Sequence, residues 1–170
     1  MKNLIKLNTH RFAINLSTAG IFLAYAAEST AGTRPTGAYT KITGAKSTPS
    51  LNPSPETLET TTLDETEYKT YIDGLKDLGG ALEFTFNLTE ELITQWGTLM
   101  TTYETAKAAN KSLWFTIVIP GLTKSFYFTG NPSEMGLPET SVSSVLEITN
   151  YITPTNAPES YAKPSTYTSV

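Results

Sequence analysis

Residues 80–103 read Gly80-Ala81-Leu82-Glu83-Phe84-Thr85-Phe86-Asn87-Leu88-Thr89-Glu90-Glu91-Leu92-Ile93-Thr94-Gln95-Trp96-Gly97-Thr98-Leu99-Met100-Thr101-Thr102-Tyr103, and two periodicities meet inside them. Up to Leu88, apolar Leu82, Phe84, Phe86 and Leu88 alternate with Ala81, Glu83, Thr85 and Asn87, the period of two that marks a half-buried strand. From Thr89 the period changes. Thr89 is suited to cap a helix, and Glu90 and Glu91 occupy the first turn, where the helix dipole favours negative charge. Leu92, Ile93, Trp96, Leu99, Met100 and Tyr103 then fall on one helical stripe. Asn110 suits a helix stop, with Lys107 and Lys111 at the negative end. The stretch predicts a strand, a cap and one amphipathic helix of about five turns, with those six side chains as its core face.

Working outward, Gly79-Gly80 breaks the chain before the strand, and residues 113–119 after the helix are apolar on both faces. Pro120-Gly121 makes a turn, and residues 126–129 complete a hairpin. Residues 130–138 read as a loop, 142–152 as a long final strand alternating Leu146, Ile148 and Ile152 against Val145, Glu147, Thr149 and Tyr151. Beyond Pro154, Pro158 and Pro164 lie among polar residues and tyrosines, which predicts a flexible tail. Upstream, residues 20–27 read as the first strand and 39–43 as the second. Pro49, Pro53 and Pro55 make 46–55 a loop, and the Thr- and acid-rich stretch from residue 56 reads as a long excursion reaching about Gly74. The expected organisation is an arm over 1–18, one domain over 19–154 and a flexible tail over 155–170. With six or seven strands and a single helix, the fold class is mainly β (a β-sandwich or barrel) with one flanking α-helix, α+β overall.

Composition narrows the chemistry. Hydrophobic residues make up 39% and charged residues 16%, while threonine is roughly one residue in six and favours strands. The net charge of -4 argues against gripping nucleic acid, which needs clustered Lys and Arg. There are no cysteines, so disulfides and thiol chemistry are excluded. His10 is the one histidine, with no partners placed for a hydrolase or a metal site. No phosphate-cradling glycine loop or G-x-S-x-G elbow is present. The acids Glu56, Glu59, Asp64, Glu65 and Glu67 lack the spacing and the glycine of an EF-hand, so they read as a solvated or partner-facing loop rather than a calcium site. Asp73 and Asp77 bracket Gly74-Leu75-Lys76 and read as turn formers rather than a catalytic pair. Lys2, Lys6 and Arg11 precede an apolar stretch over 12–27 in the layout of a secretory leader, but Asn15, Ser17, Thr18 and Gly20 interrupt it. No stretch approaches the ~18 apolar residues of a membrane span. The expectation is a non-enzymatic protein with no cofactor, no metal and no membrane insertion. Its plentiful aromatics, open strand edges and long acidic loop suit self-assembly.

Residues 57–64 (Thr-Leu-Glu-Thr-Thr-Thr-Leu-Asp), 68–77 (Tyr-Lys-Thr-Tyr-Ile-Asp-Gly-Leu-Lys-Asp) and 80–84 (Gly-Ala-Leu-Glu-Phe) resemble the segment E-T-T-x-L-D … Y-x-x-G-L-x-D … L-x-F that precedes the helix in the major tail tube proteins of siphophages. The opening Ser17-Thr18-Ala19-Gly20-Ile21 and the order strand, helix, hairpin, final strand over 80–152 are similar too. The resemblance covers residues 17–154. It implies a β-sandwich or barrel flanked by a helix, six copies closing a ring, and rings stacking into a hollow tube, a plan shared by the tube protein of type VI secretion systems. On this sequence, Leu63, Asp64, Glu65, Glu67, Tyr68, Tyr71, Ile72, Asp73 and Leu75 would form the loop that contacts the next ring or subunit. The implied partners are other copies of the chain, a tape measure protein in the lumen, and tail terminator and distal tail proteins. Double-stranded DNA would pass an acidic lumen without being held. The implied location is the virion, with assembly in the host cytoplasm. A secreted β-rich adhesion or pilin-like protein is the alternative reading, favoured by the leader-like start; a small carbohydrate-active β-sandwich would need paired carboxylates that no strand pattern places.

Overall fold

The alternation and the cap act where the sequence puts them. In the computed structural model, which describes residues 18–169, the elements run β1 (Phe22–Ala27), β2 (Tyr39–Ile42), β3 (Ala45–Ser47), β4 (Ser54–Glu59), β5 (Tyr71–Asp77), β6 (Leu82–Asn87), α1 (Glu90–Ala108), β7 (Leu113–Val118), β8 (Lys124–Pro132), β9 (Glu147–Pro154), β10 (Glu159–Ala162) and β11 (Tyr167–Ser169). Nine strands form one sheet in the order β11-β2-β1-β7-β8-β9-β6-β3, with β10 also beside β8, while β4 and β5 pair only with each other. The sheet curls into a half-barrel, and the fold is mainly β with a single helix.

Strand β8 is where the sheet bends. Its first half pairs with β7, from Ile117↔Phe126 to Trp114↔Thr129. Its second half pairs with β9, from Gly130↔Pro154 to Pro132↔Ile152. The other edge of the first half takes β10, from Glu159↔Tyr127 to Ala162↔Lys124. Residues 155–158 interrupt the ladder between β9 and β10. There the Asn156 side-chain oxygen accepts the Thr129 N–H at 2.6 Å and the Thr155 N–H donates to the Thr129 carbonyl at 2.8 Å. A side-chain amide thus takes the place of a missing backbone acceptor. Gly130 permits the bend: a Cβ there would lie 2.8 Å from Ile152 Cγ2 and 3.0 Å from the Thr153 carbonyl.

The helix forms as its cap predicts. Thr89 Oγ1 accepts the Leu92 N–H at 3.2 Å, and Asn110, at φ +52°, ends the helix in the left-handed region where Asn is tolerated. Five threonines would weaken a helix, yet Thr94, Thr98, Thr101, Thr102 and Thr105 each donate their hydroxyl to a carbonyl four residues back, at 2.8–3.1 Å. Leu92, Trp96 and Leu99 bury themselves against Leu23, Tyr25, Phe86, Phe115 and Phe128. Gln95 is buried beside them. Its Oε1 accepts the Thr43 N–H at 2.9 Å and its Nε2 donates to Glu91 at 3.0 Å, tying the helix to the end of β2.

The opposite face of β1, β2, β7 and β8 carries a second cluster of Ala24, Ala26, Tyr39, Trp114 and Tyr127. The Arg34 guanidinium lies 4.7 Å from the Tyr127 ring and 4.3 Å from Tyr161, so the 28–37 loop and β10 close over it together. Burial pushes the Tyr39 and Tyr127 phenols up. Tyr127 donates to the Ala162 carbonyl at 2.6 Å, and Tyr39 to Pro35 at 3.1 Å. Glu28 anchors the loop. Its carboxylate accepts the Gly32 N–H (2.9 Å), the Ser112 N–H (3.0 Å) and the Trp114 indole N–H (2.9 Å). Burial by itself would raise its pKa, but these donors, with Lys111 nearby, hold it below the ordinary value.

Several expectations need correction. The stretch after Pro154 is not a free tail: β10 joins β8 antiparallel and β11 joins β2 parallel, so the domain runs on to residue 169. Tyr167 meets Phe22 edge-on at 5.2 Å, and the Thr166 carbonyl accepts the Tyr39 N–H. Residues 142–146 are exposed coil rather than the start of a long strand, because Ser143 sits at φ +65° and breaks the extended run. Residues 130–132 belong to β8, not to a loop. The proline-rich 46–55 segment gives its ends to β3 and β4, since edge strands tolerate proline. Ile93 is 47% exposed and leaves the core face, while Met100 and Tyr103 are half-buried against it. The arm over 1–18 lies outside the described residues but for Thr18.

Two outcomes test these contacts. Gly130→Ala is expected to destabilise the protein by about 1–3 kcal/mol through overpacking against Ile152, measured by urea unfolding. For Glu28, a folded pKa below the unfolded one means its contribution is complete above the ordinary glutamate pKa of about 4.3 and is lost as pH falls through the folded value. Glu28→Gln is therefore expected to cost about 1–3 kcal/mol at pH 7 and to flatten the acid limb of stability between pH 7 and pH 3.

Candidate assembly surface

The threonine- and acid-rich stretch folds into a ribbon that stands apart from the sheet. β4 and β5 pair antiparallel, with Glu59↔Tyr71, Leu58↔Ile72 and Thr57↔Asp73 at the outer end and Pro55↔Lys76 and Ser54↔Asp77 at the base. Between these blocks β5 advances one residue more than β4, a bulge that places Gly74 against Glu56. A Cβ on Gly74 would lie 3.1 Å from the Glu56 carbonyl, which is the local reason for glycine. The pairing continues outward through Thr60 N–H to Thr70 O at 2.8 Å and a Lys69–Glu59 ion pair at 3.0 Å. The long excursion expected from residue 56 is therefore a paired ribbon, which runs on to Asp77 rather than ending near Gly74. Thr57-Leu58-Glu59 alternates as a strand should, but β5 holds Gly74 and two aspartates and hides its strand character.

All nine residues predicted for the contact loop are brought together here. Leu63, Asp64, Glu65, Glu67 and Tyr68 lie at the tip; Tyr71, Ile72, Asp73 and Leu75 lie on β5. No ribbon residue over 54–77 is buried. Leu63 is fully exposed, Leu75 is 85% and Tyr68 82% exposed, and the facing pair Leu58 and Ile72 are 46% and 55% exposed. Leu58 belongs to the same surface, and sequence reading left it out. A two-stranded ribbon with no buried face is marginal in water, and its apolar strip stands uncovered among the described residues.

Charge reinforces the contrast. Over 54–77 there are seven acids and two lysines, a net of -5 against -4 for the whole chain. A hydrogen bond from Thr62 keeps Asp64 below its ordinary pKa, so the tip stays charged. Asp73 sits within β5 rather than in a turn, whereas Asp77, the last residue of β5, accepts the Gly79 N–H at 2.9 Å and helps form the turn that follows. Gly79 (φ +85°) and Gly80 (φ +69°) then turn the chain from ribbon to β6. Among the described residues no group of three or more His, Asp or Glu is arranged to hold a metal, and no helix is long and apolar enough to cross a membrane.

Because the ribbon buries none of its own side chains, Leu58→Ser with Ile72→Ser is expected to shift the stability of the isolated chain by less than about 0.5 kcal/mol, read from the urea midpoint.

No family model matches the chain, and neither does any curated protein sequence. Among solved structures, a chain in the cryo-EM structure of the anti-feeding prophage (AFP) baseplate, 6-fold symmetrised, shares the fold with a TM-score of 0.57 at 7% identity, covering 89% of this chain and 98% of that one.

Proposed function

We propose that this protein is a non-enzymatic structural subunit of a phage tail or phage-derived tail-like particle, in the role of a tube-forming ring protein. The observation that carries the reading is the β4–β5 ribbon: an arm with apolar side chains on display that no other described residue buries. An element built this way gains its stability from a neighbour. Heterologous contacts that close by rotation give rings, and a second contact along the axis gives a filament. The ribbon is the candidate for that axial contact. The structural likeness to a chain of a prophage baseplate assembly, and the tail tube resemblance at residues 57–84, both support this choice of particle.

In this reading six copies close a ring, rings stack into a tube, and tape measure, terminator and distal tail proteins engage its lumen and ends. The mature location is the virion. The acids of the chain repel phosphate, so that double-stranded DNA passes rather than binds.

Negative-stain microscopy of the purified full chain, over a range of concentrations and together with its neighbouring tail proteins, is expected to show rings or tubes of uniform diameter. Leu63→Asp with Tyr68→Asp and Leu75→Asp is expected to keep the monomer's circular dichroism and urea midpoint while abolishing stacking. A chain that remains monomeric under all these conditions overturns the proposal.

A further inference from the structure

Between the sheet and the loop 48–52 lies an apolar hollow of about 360 Å³. Ile21, Ile117, Ile119 and Phe126 line it from the sheet side, and Pro49 and Leu51 from the loop. Phe126 is 39% exposed there, although its cross-strand partner Ile117 is buried. None of the lining residues is charged. Side chains alternate along β8, so Lys124 shares the face of Phe126, and its exposed side chain sets an ammonium beside the hollow. Other concave surfaces of the protein are acidic. The groove along α1 that Ile93 and Leu137 line holds Glu104 and Glu134, and the hollow at the ribbon base holds Asp77 and Glu83.

The ribbon tip has the opposite character. Residues 62–68 carry Asp64, Glu65 and Glu67 and no base, and Leu63 and Tyr68 stand exposed among these acids. Tip and hollow do not meet within one chain. The loop 48–52 runs almost directly into β4, so the hollow lies near the base of the ribbon, and the six residues of β4 carry the tip about 20 Å away from it. Two tips do not suit each other either, since each ribbon carries a net charge of -5. Resting on the assembly reading above, we infer that the ribbon tip of one copy seats in this hollow of the next copy, with Leu63 and Tyr68 filling it and Lys124 facing the acids. Burial of the two side chains supplies the attraction, and the opposed charges set the register. Tip and hollow are different patches, so the contact repeats head to tail and builds a row of copies rather than a closed pair.

The chain has no cysteine, so introduced thiols report on the contact without interference. Full-length copies carrying Leu63→Cys, mixed with copies carrying Ser50→Cys in the exposed wall of the hollow, are expected to cross-link through a short bis-maleimide, while neither variant alone links to itself. Lys124→Glu is expected to weaken association about tenfold with circular dichroism unchanged. Reversing the tip in that background, by Asp64→Lys with Glu67→Lys, is expected to restore it. Rings or tubes in negative stain without the mixed cross-link, or tip-to-tip linkage by Leu63→Cys alone, would overturn the inference and leave the tail reading in place. Association that Lys124→Glu leaves unchanged, or that the reversed tip does not recover, would do the same. A chain that never associates overturns both.

Discussion

The bend of β8 at Gly130 is the constraint on which the rest of this architecture depends. One strand serves β7 on one edge and both β9 and β10 on the other, and it can do so only because it changes direction where a side chain would collide with Ile152. The bend turns β9, β6 and β3 away from the plane of β1, β2 and β7, and the concave side so formed is what α1 fills. Without it the same strands would make a flat sheet that a single helix could not cover. The Asn156 amide completes the arrangement by satisfying the one N–H that the break between β9 and β10 leaves unpaired.

The second face of the sheet shows a different solution to burial. It has no helix, so a loop and a short strand cover it, and their own polar groups must be paid for locally. Glu28 gathers three donors, Arg34 lies between two tyrosine rings, and Tyr127 and Tyr39 each find a carbonyl. Each is a polar group on an apolar platform with a named partner, which is what allows a thin cover to exclude water. The ribbon is the reverse case: its backbone is paired and its side chains are not covered. That contrast within one chain separates a region that buries its own side chains from one that leaves them in the open.

Local signals were legible and non-local ones were not. The 82–88 alternation, the Thr89 cap and the wholly apolar β7 are readable because each is decided by neighbours a few residues away. The helix stands where its cap and period put it, but its buried stripe is narrower than its apolar residues suggest. Ile93 lies at the edge of that stripe, against an open groove, whereas Gln95 turns inward because Thr43 and Glu91 satisfy its amide. β10 and β11 are invisible to periodicity: they are short, polar and proline-flanked, and they exist because β8 and β2 offer open edges distant in the chain. The nine ribbon residues came from a resemblance rather than from pattern. The structure gathers them on one element, while Leu58 joins them only through its cross-strand partner Ile72.

The threonine rows of α1 carry a consequence for the solution conditions the protein tolerates. A helix that secures its flanks by returning hydroxyls to its own carbonyls, rather than by rows of paired Lys and Glu, offers dissolved ions little to weaken. Its outward surface sets Thr94, Thr101 and Thr105, with their hydroxyls already bonded, between the acids and Lys107 of its ends. Such a helix keeps its shape in dilute and concentrated electrolyte alike, and leaves sensitivity to salt to the acidic ribbon.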